Sequence, residues 1–125
     1  MLERKESIIQ AKAEDFTNRI IKLVKYLREK HADPSMIDQI NRAGLSVGAN
    51  IAESKFAQST KDFVSKLSIA LKEANETEFW LRRLHSAEAL TDEGFQSMYK
   101  DADEIISILV KIIKTLKEKY NLRTT

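Results

Sequence analysis

Residues 44–53 read GLSVGANIAE, and this stretch differs in composition from the rest of the chain. It holds two glycines, two alanines and one serine, whereas the flanking segments are rich in Leu, Ile, Lys and Glu. A glycine in a helix interior costs about 1 kcal/mol relative to alanine, so two of them need a reason such as close packing. Gly44, Gly48 and Ala52 are spaced four apart, which predicts a ridge of small residues on one helix face. The stretch therefore indicates a helix that another helix approaches closely.

The same stretch belongs to a longer pattern of apolar residues at alternating steps of three and four, which is typical of one face of a helix. The pattern occurs in four segments. The predicted core positions are Ile9, Ala13, Phe16, Ile20, Leu23 and Leu27 in the first; Ile37, Ile40, Gly44, Val47 and Ile51 in the second; Phe63, Leu67, Ala70, Ala74, Thr77, Leu81 and Leu84 in the third; and Phe95, Met98, Ala102, Ile105, Leu109, Ile112 and Leu116 in the fourth.

Short breaks separate the four segments. Pro34 ends the first, which begins near Ser7, because proline lacks the backbone donor and restricts its predecessor. The second begins near Ser35, and Ser59 and Thr91 are good N-caps for the third and fourth. Helices of about 20–28 residues span roughly 30–42 Å. We therefore predict an all-α fold, an antiparallel up-down-up-down four-helix bundle, formed by a single domain over residues 1–125.

Composition narrows the class of protein further. The 125-residue chain has three Gly, one Pro and no Cys, and its formal net charge is +2. The lack of cysteine excludes disulfides and thiolate metal sites and fits a reducing compartment. The charged N-terminal residues do not resemble a signal peptide, and no apolar run approaches the roughly 20 residues of a membrane span. The sequence predicts a cytoplasmic protein with no membrane partner.

The region around the small-residue stretch also carries a family resemblance. Its pattern consists of Arg42, ANIAE at 49–53, Ser59, DF at 62–63, IA at 69–70 and ETE at 76–78. In these residues the chain resembles the bacterial four helix bundle protein family, also called the 23S ribosomal RNA intervening-sequence proteins. The resemblance implies an antiparallel bundle that assembles as a homopentamer, and it supplies no enzyme activity. A related group, accessory factors of retroelement reverse transcriptases, implies nucleic-acid binding as an alternative.

One position departs from the family pattern. The glycine that follows the glutamate in the family is Ser54 here. A left-handed C-cap is therefore less favoured at this point, and the second helix is expected to continue toward Phe56.

Residues outside the core stripes suggest where copies of the chain would meet. Phe79 and Trp80 add apolar surface to the third helix, and contiguous exposed apolar residues often mark an interaction surface. On the second helix, Arg42, Ser46, Ala49 and Glu53 form a line on a face other than the core stripe, with Asn50 beside it. The residues assigned to an oligomer interface or to the family pattern are Arg42, Gly44, Gly48, Asn50, Glu53, Glu76, Phe79 and Trp80.

Two further features leave alternatives open. The heptad line of Tyr99, Ile106, Ile113 and Tyr120 fits either a broad core face or an interface. Glu53 lies near a helix C-terminus, where the dipole disfavours a carboxylate. We expect Lys55, Lys61 or the first amides of the third helix to compensate it, so that Glu53 fixes the turn and its replacement by Gln lowers the melting temperature.

Basic residues give the alternative of RNA or DNA binding. Lys5, Lys12 and Arg19 repeat every seven residues along the first helix, and Lys111 and Lys114 form a shorter pair on the fourth. In an oligomer the few cations of each subunit are repeated around the assembly and form a ring of positive charge. Such a ring could bind the phosphates of RNA or DNA.

The sequence contains no constellation for catalysis. The two histidines, His31 and His85, are each preceded three residues earlier by arginine, so the Glu-x-x-His pairs of di-metal bundles are missing. No catalytic, cofactor-binding or metal-ligating residue is predicted, and no small-molecule substrate is inferred. The leading hypothesis is a non-enzymatic, self-associating scaffold or accessory protein.

Overall fold

Four helices make up the computed structural model, which describes residues 4–122 and the side chains from Glu6 onward. They are α1 (Arg4–Glu29), α2 (Pro34–Ser54), α3 (Thr60–Ser86) and α4 (Asp92–Lys119). Each helix packs against the next, α4 also packs against α1, and no strand occurs between residues 4 and 122. The prediction of an all-α, antiparallel up-down-up-down bundle is confirmed. None of these helices is long and apolar enough to cross a membrane.

The predicted apolar stripes form the core. Ile20, Leu67 and Leu109 are among its fully buried side chains, and all predicted positions of α1 and α2 are buried. Phe63 and Leu116 are only half-buried, as is Phe95. These three residues lie in the first or last turns of their helices, where the neighbouring helices give less cover. Near the start of α3 the buried position is taken by Val64 instead.

Side-chain caps fix where three helices begin. Ser59 accepts a hydrogen bond from the amide of Asp62, and Thr91 accepts one from the amide of Gly94, as predicted. Helix α2 begins one residue earlier than expected. Pro34 is its first residue, because the first turn of a helix needs no donor there, and Asp33 caps the amides of the two residues that follow the proline.

The helices end in two different ways. His31, Glu88 and Asn121 take positive φ angles after α1, α3 and α4, and paired backbone hydrogen bonds close each end in a Schellman arrangement. After α2, by contrast, Lys55 keeps a right-handed helical conformation, and turn-type hydrogen bonds continue to the amide of Ala57. Helix α2 therefore ends at Ser54 and does not continue toward Phe56 as expected, although Lys55 keeps helical backbone angles. Phe56 lies in the turn that follows and is 82% exposed.

Candidate interaction surface on helices α2 and α3

Gly44 and Gly48 face α1 within the same chain. Both are buried, and a Cβ atom at Gly44 would lie 2.7 Å from Cδ1 of Ile20. A Cβ at Gly48 would overlap Oγ1 of Thr17, which donates a hydrogen bond to the carbonyl of Ala13. The predicted close approach of a second helix is therefore made by α1. This corrects the assignment of the two glycines to an interface between copies, because α1 already covers them.

A hydrogen-bond bridge that the sequence did not reveal ties α1 to the end of α2. Nε2 of Gln10 donates to the carbonyl of Ile51 at 2.8 Å and to Oγ of Ser54 at 3.3 Å. The buried Ser54 hydroxyl donates to the same Ile51 carbonyl at 2.6 Å. These contacts satisfy a carbonyl in the last turn of α2, where intrahelical donors run out. Ser54 thus replaces the family glycine with a side chain that bonds to its own helix.

On its opposite side α2 presents an ionic cluster with α3. The Arg42 guanidinium binds Glu73 at 3.3 Å and also binds Glu76, whose carboxylate accepts a further hydrogen bond from the indole of Trp80 at 3.4 Å. The hydrogen bond with Glu76 is the main cause that raises the pKa of Arg42. The family-pattern residues Arg42 and Glu76, which are 34 positions apart, are thus direct partners.

Glu53 makes a second, weaker ion pair between the same helices. Its carboxylate lies 3.8 Å from Nζ of Lys66, and its side chain is 63% exposed. The compensating partner is therefore Lys66, in the second turn of α3, and not Lys55 or Lys61 as expected. A long, exposed ion pair contributes at most about 1 kcal/mol.

Small residues lie between the two ion pairs. The pairs mark the antiparallel register of α2 and α3, which places Ser46 and Ala49 opposite the region of Ile69. Ala49 and Ile69 are exposed, and the half-buried Asn50 donates a hydrogen bond to the carbonyl of Ser46. We call this strip the α2–α3 surface, defined by Arg42, Ser46, Ala49, Glu53, Lys66, Ile69, Glu76, Phe79 and Trp80.

Phe79 and Trp80 have different surroundings although they are neighbours. Phe79 is 42% exposed and lies under the guanidinium of Arg83, 5.5 Å from the ring centroid. Trp80 is half-buried and packs against the core. The rings meet edge to face at 4.9 Å. The structure thus adds Trp80 to the bundle and leaves Phe79 as the outward aromatic side chain of the pair.

The open alternative on α4 is largely resolved in favour of a broad core face. Ile113 is buried, and Tyr99 and Ile106 are half-buried against the core. Tyr120, just beyond the end of α4, remains 49% exposed.

Two cations of the predicted basic line on α1 are already paired with α4. Lys12 lies 2.8 Å from Glu104, and Arg19 lies 2.5 Å from Asp101. The hydrogen bond to Glu104 raises the pKa of Lys12, and the same contact lowers the pKa of Glu104. The side chain of Lys5 lies outside the described residues. Lys111 and Lys114 are exposed on α4.

Glu78 is a buried carboxyl group that the predicted core stripe of α3 did not include. It is 7% exposed and lies where α3 meets α4. Its position four residues after Ala74 and three before Leu81 follows the core spacing, and this signal could have revealed its burial. Burial is the main cause that raises its pKa to about 8, and the nearby Asp103 carboxyl raises it further.

The described residues contain no group of three or more His, Cys, Asp or Glu side chains that could hold a metal ion. The two histidines have local contacts. His85 binds Asp92 at 2.7 Å and stacks on Phe95 with ring centroids 4.3 Å apart, whereas His31 occupies the left-handed end of α1.

Comparisons with known proteins agree with the geometry. The sequence pattern of the 23S rRNA-intervening sequence protein family matches residues 5–111, and the chain belongs to this family. It is similar to a crystal structure from Bacteroides thetaiotaomicron VPI-5482, described as a protein of unknown function from the S23 ribosomal protein family. The two share 46% sequence identity, the match covers 88% of this chain and 98% of the other, and the TM-score is 0.84. A comparison with curated proteins gave no match.

Proposed function

We propose that this member of the 23S rRNA-intervening sequence protein family is a non-enzymatic, self-associating scaffold or accessory protein of the cytoplasm. The α2–α3 surface would form its contact between copies. The family resemblance gives a homopentamer as the expected assembly.

The observation that carries the proposal is the combination of apolar residues, small residues and internally paired charges on one strip. Ile69 and Phe79 are exposed, and Ala49 presents little more than backbone. The charges at either end of the strip, Arg42 and Glu53, have partners within the chain. A helix from another copy could therefore approach closely without leaving an unpaired charge buried, which would be costly.

The proposal is tested by the mass of the protein in solution. Multi-angle light scattering at micromolar concentration should give about five times the 14.3 kDa mass of one chain. Ile69→Arg should shift the protein toward monomer, because it places an unpaired cation in the contact. A monomeric wild-type protein would refute self-association.

A matched control tests whether the contact between copies lies on the α2–α3 surface. Ile21 is also an exposed isoleucine, 53% accessible, but it lies on α1 away from the α2–α3 surface. Ile21→Arg should leave the mass unchanged. If Ile21→Arg dissociates the assembly and Ile69→Arg does not, the contact lies elsewhere on the bundle.

Nucleic-acid binding is the alternative, and the exposed pair on α4 is the observation that favours it. Lys111 and Lys114 are exposed, whereas Lys12 and Arg19 have part of their charge neutralised by Glu104 and Asp101. A nucleic-acid surface on this chain would therefore use α4 rather than the described part of the α1 line.

A gel shift with RNA at two salt concentrations tests this alternative. Binding that weakens steeply with salt and is lost in Lys111→Glu/Lys114→Glu would support it, since phosphate contacts release counterions. Binding that is lost in Lys12→Gln but kept in Lys111→Glu/Lys114→Glu would place the surface on α1 instead. If no gel shift occurs at low salt, nucleic-acid binding is refuted and the scaffold hypothesis is the one that remains.

A further inference from the structure

The contact between α3 and α4 contains a buried acid whose surroundings do not suit a negative charge. Glu78 is more than nine-tenths buried, and its Oε2 atom accepts no hydrogen bond from any described residue. A carboxylate oxygen buried without a donor is expensive, because nothing replaces the water that it loses.

The groups that face Glu78 come from both helices of this contact. Asp103 and Tyr99 approach from α4 within hydrogen-bonding reach, and Arg82 lies on α3. Nη1 of Arg82 donates to the Tyr99 hydroxyl at 2.8 Å, so this cation is bound to the phenol. The phenol can then donate its own proton to Glu78, but it cannot neutralise the charge of two adjacent carboxylates.

We propose that Glu78 keeps its proton at neutral pH and uses it in a hydrogen bond to Asp103, and that loss of this proton in mildly alkaline solution loosens the contact between α3 and α4. A proton on Glu78 turns its carboxyl group into a hydrogen-bond donor, and Asp103 is then its acceptor. Two facing carboxylates cannot both ionise without repulsion. The inference does not depend on self-association.

The sign of the pH dependence follows from where the proton is held. Glu78 has a raised pKa of about 8 in the folded chain, against an ordinary value of 4.5. Between these values the folded protein keeps a proton that the unfolded chain has lost. Stability that is fully present below pH 4.5 is therefore lost as the pH rises through about 8.

The test compares urea unfolding between pH 5.5 and 9 for the wild type, Glu78→Gln and Asp103→Asn. One retained proton raises the unfolding constant about tenfold per pH unit in the lower part of this range. Glu78→Gln should remove that contribution, and Asp103→Asn should reduce it by lowering the pKa of Glu78. Glu14→Gln, at an exposed position of α1, is the control and should retain the wild-type slope. A wild-type slope in Glu78→Gln would overturn the proposal.

A second measurement decides the matter if the variants do not fold. The ¹³C shift of the Glu78 side-chain carboxyl in the wild-type protein should titrate above pH 7. A midpoint near 4.5 would overturn the proposal, whatever the variants do.

Discussion

On the face of α2 that meets α1, Gly44 and Gly48 are buried, whereas on the face toward α3, Ala49 is exposed and Ser46 is half-buried. Both faces carry small residues at helical spacing. On the first face the size is required by atoms of Ile20 and Thr17 that a Cβ would meet. On the second, Ala49 is exposed, so burial does not require its small size. The small residues on the face toward α3 are therefore the ones that close contact with a second copy of the chain would explain.

The largest effect is expected when leucine is placed at one of two adjacent positions, one on each face of α2. Gly48→Leu should destabilise the chain by about 3 kcal/mol, since overpacking a tight contact forces neighbours out of place. Ala49→Leu should change stability by less than about 0.5 kcal/mol, as surface substitutions do. Urea unfolding followed by circular dichroism at one protein concentration measures both. Equal losses would contradict the assignment of inner and outer faces.

A smaller effect should isolate the contact with Thr17. Gly48→Ala would force the Thr17 hydroxyl to move and to lose its bond to Ala13. In a Thr17→Ala background the same change should stabilise the chain by about 1 kcal/mol, the gain in helix propensity. The coupling between the two changes in a double-mutant cycle is the measured quantity. Additive effects would show that Thr17 does not limit the space at Gly48.

The ionic cluster should contribute less than the glycine contact. Arg42→Ala removes both ion pairs and leaves Glu73 and Glu76 without their cation. Because the guanidinium is half exposed, we expect a loss of at most about 1 kcal/mol, and the difference should shrink in added salt. Thermal and urea unfolding at low and high salt check this. A loss that does not change with salt would indicate a packing role for the arginine side chain.

The smallest effect is expected at Glu53. The 3.8 Å separation from Lys66 and the exposure of its side chain make the pair weak. Glu53→Gln should therefore change stability by less than about 0.5 kcal/mol, in place of the clear loss of melting temperature that the sequence indicated. Lys66→Gln, the matching change on α3, should have a similarly small effect. If the melting temperature drops by several degrees in Glu53→Gln but not in Lys66→Gln, Glu53 fixes the turn as the sequence predicted.

The fold could be predicted from the sequence because helix periodicity and capping are local signals. The spacing of Ile37, Ile40 and Ile51 and the caps at Ser59 and Thr91 each specify structure over a few residues. The partner of a small residue is not local. The ridge at Gly44 shows that a helix comes close but not that the helix is α1.

The same reason explains the errors about charged residues. Spacing gives the face on which Glu53 or Glu78 lies, but the neighbour across the contact depends on how α2, α3 and α4 are set relative to each other. Lys66 and Asp103 are 13 and 25 positions away from these glutamates, and no local pattern connects them. Burial of Glu78 could have been inferred from its core spacing, but its raised pKa could not.

The two ends of the bundle should differ in their susceptibility to proteolytic cleavage. At one end, the connections are compact, and His31 and Glu88 take the left-handed backbone conformation. At the other end, the exposed Phe56 lies in a turn that is closed only by turn-type hydrogen bonds. An enzyme that cuts after aromatic residues should nick native protein first at Phe56. The nick would fall between two helical hairpins, α1 with α2 and α3 with α4, whose ability to reassociate could then be followed without altering any side chain.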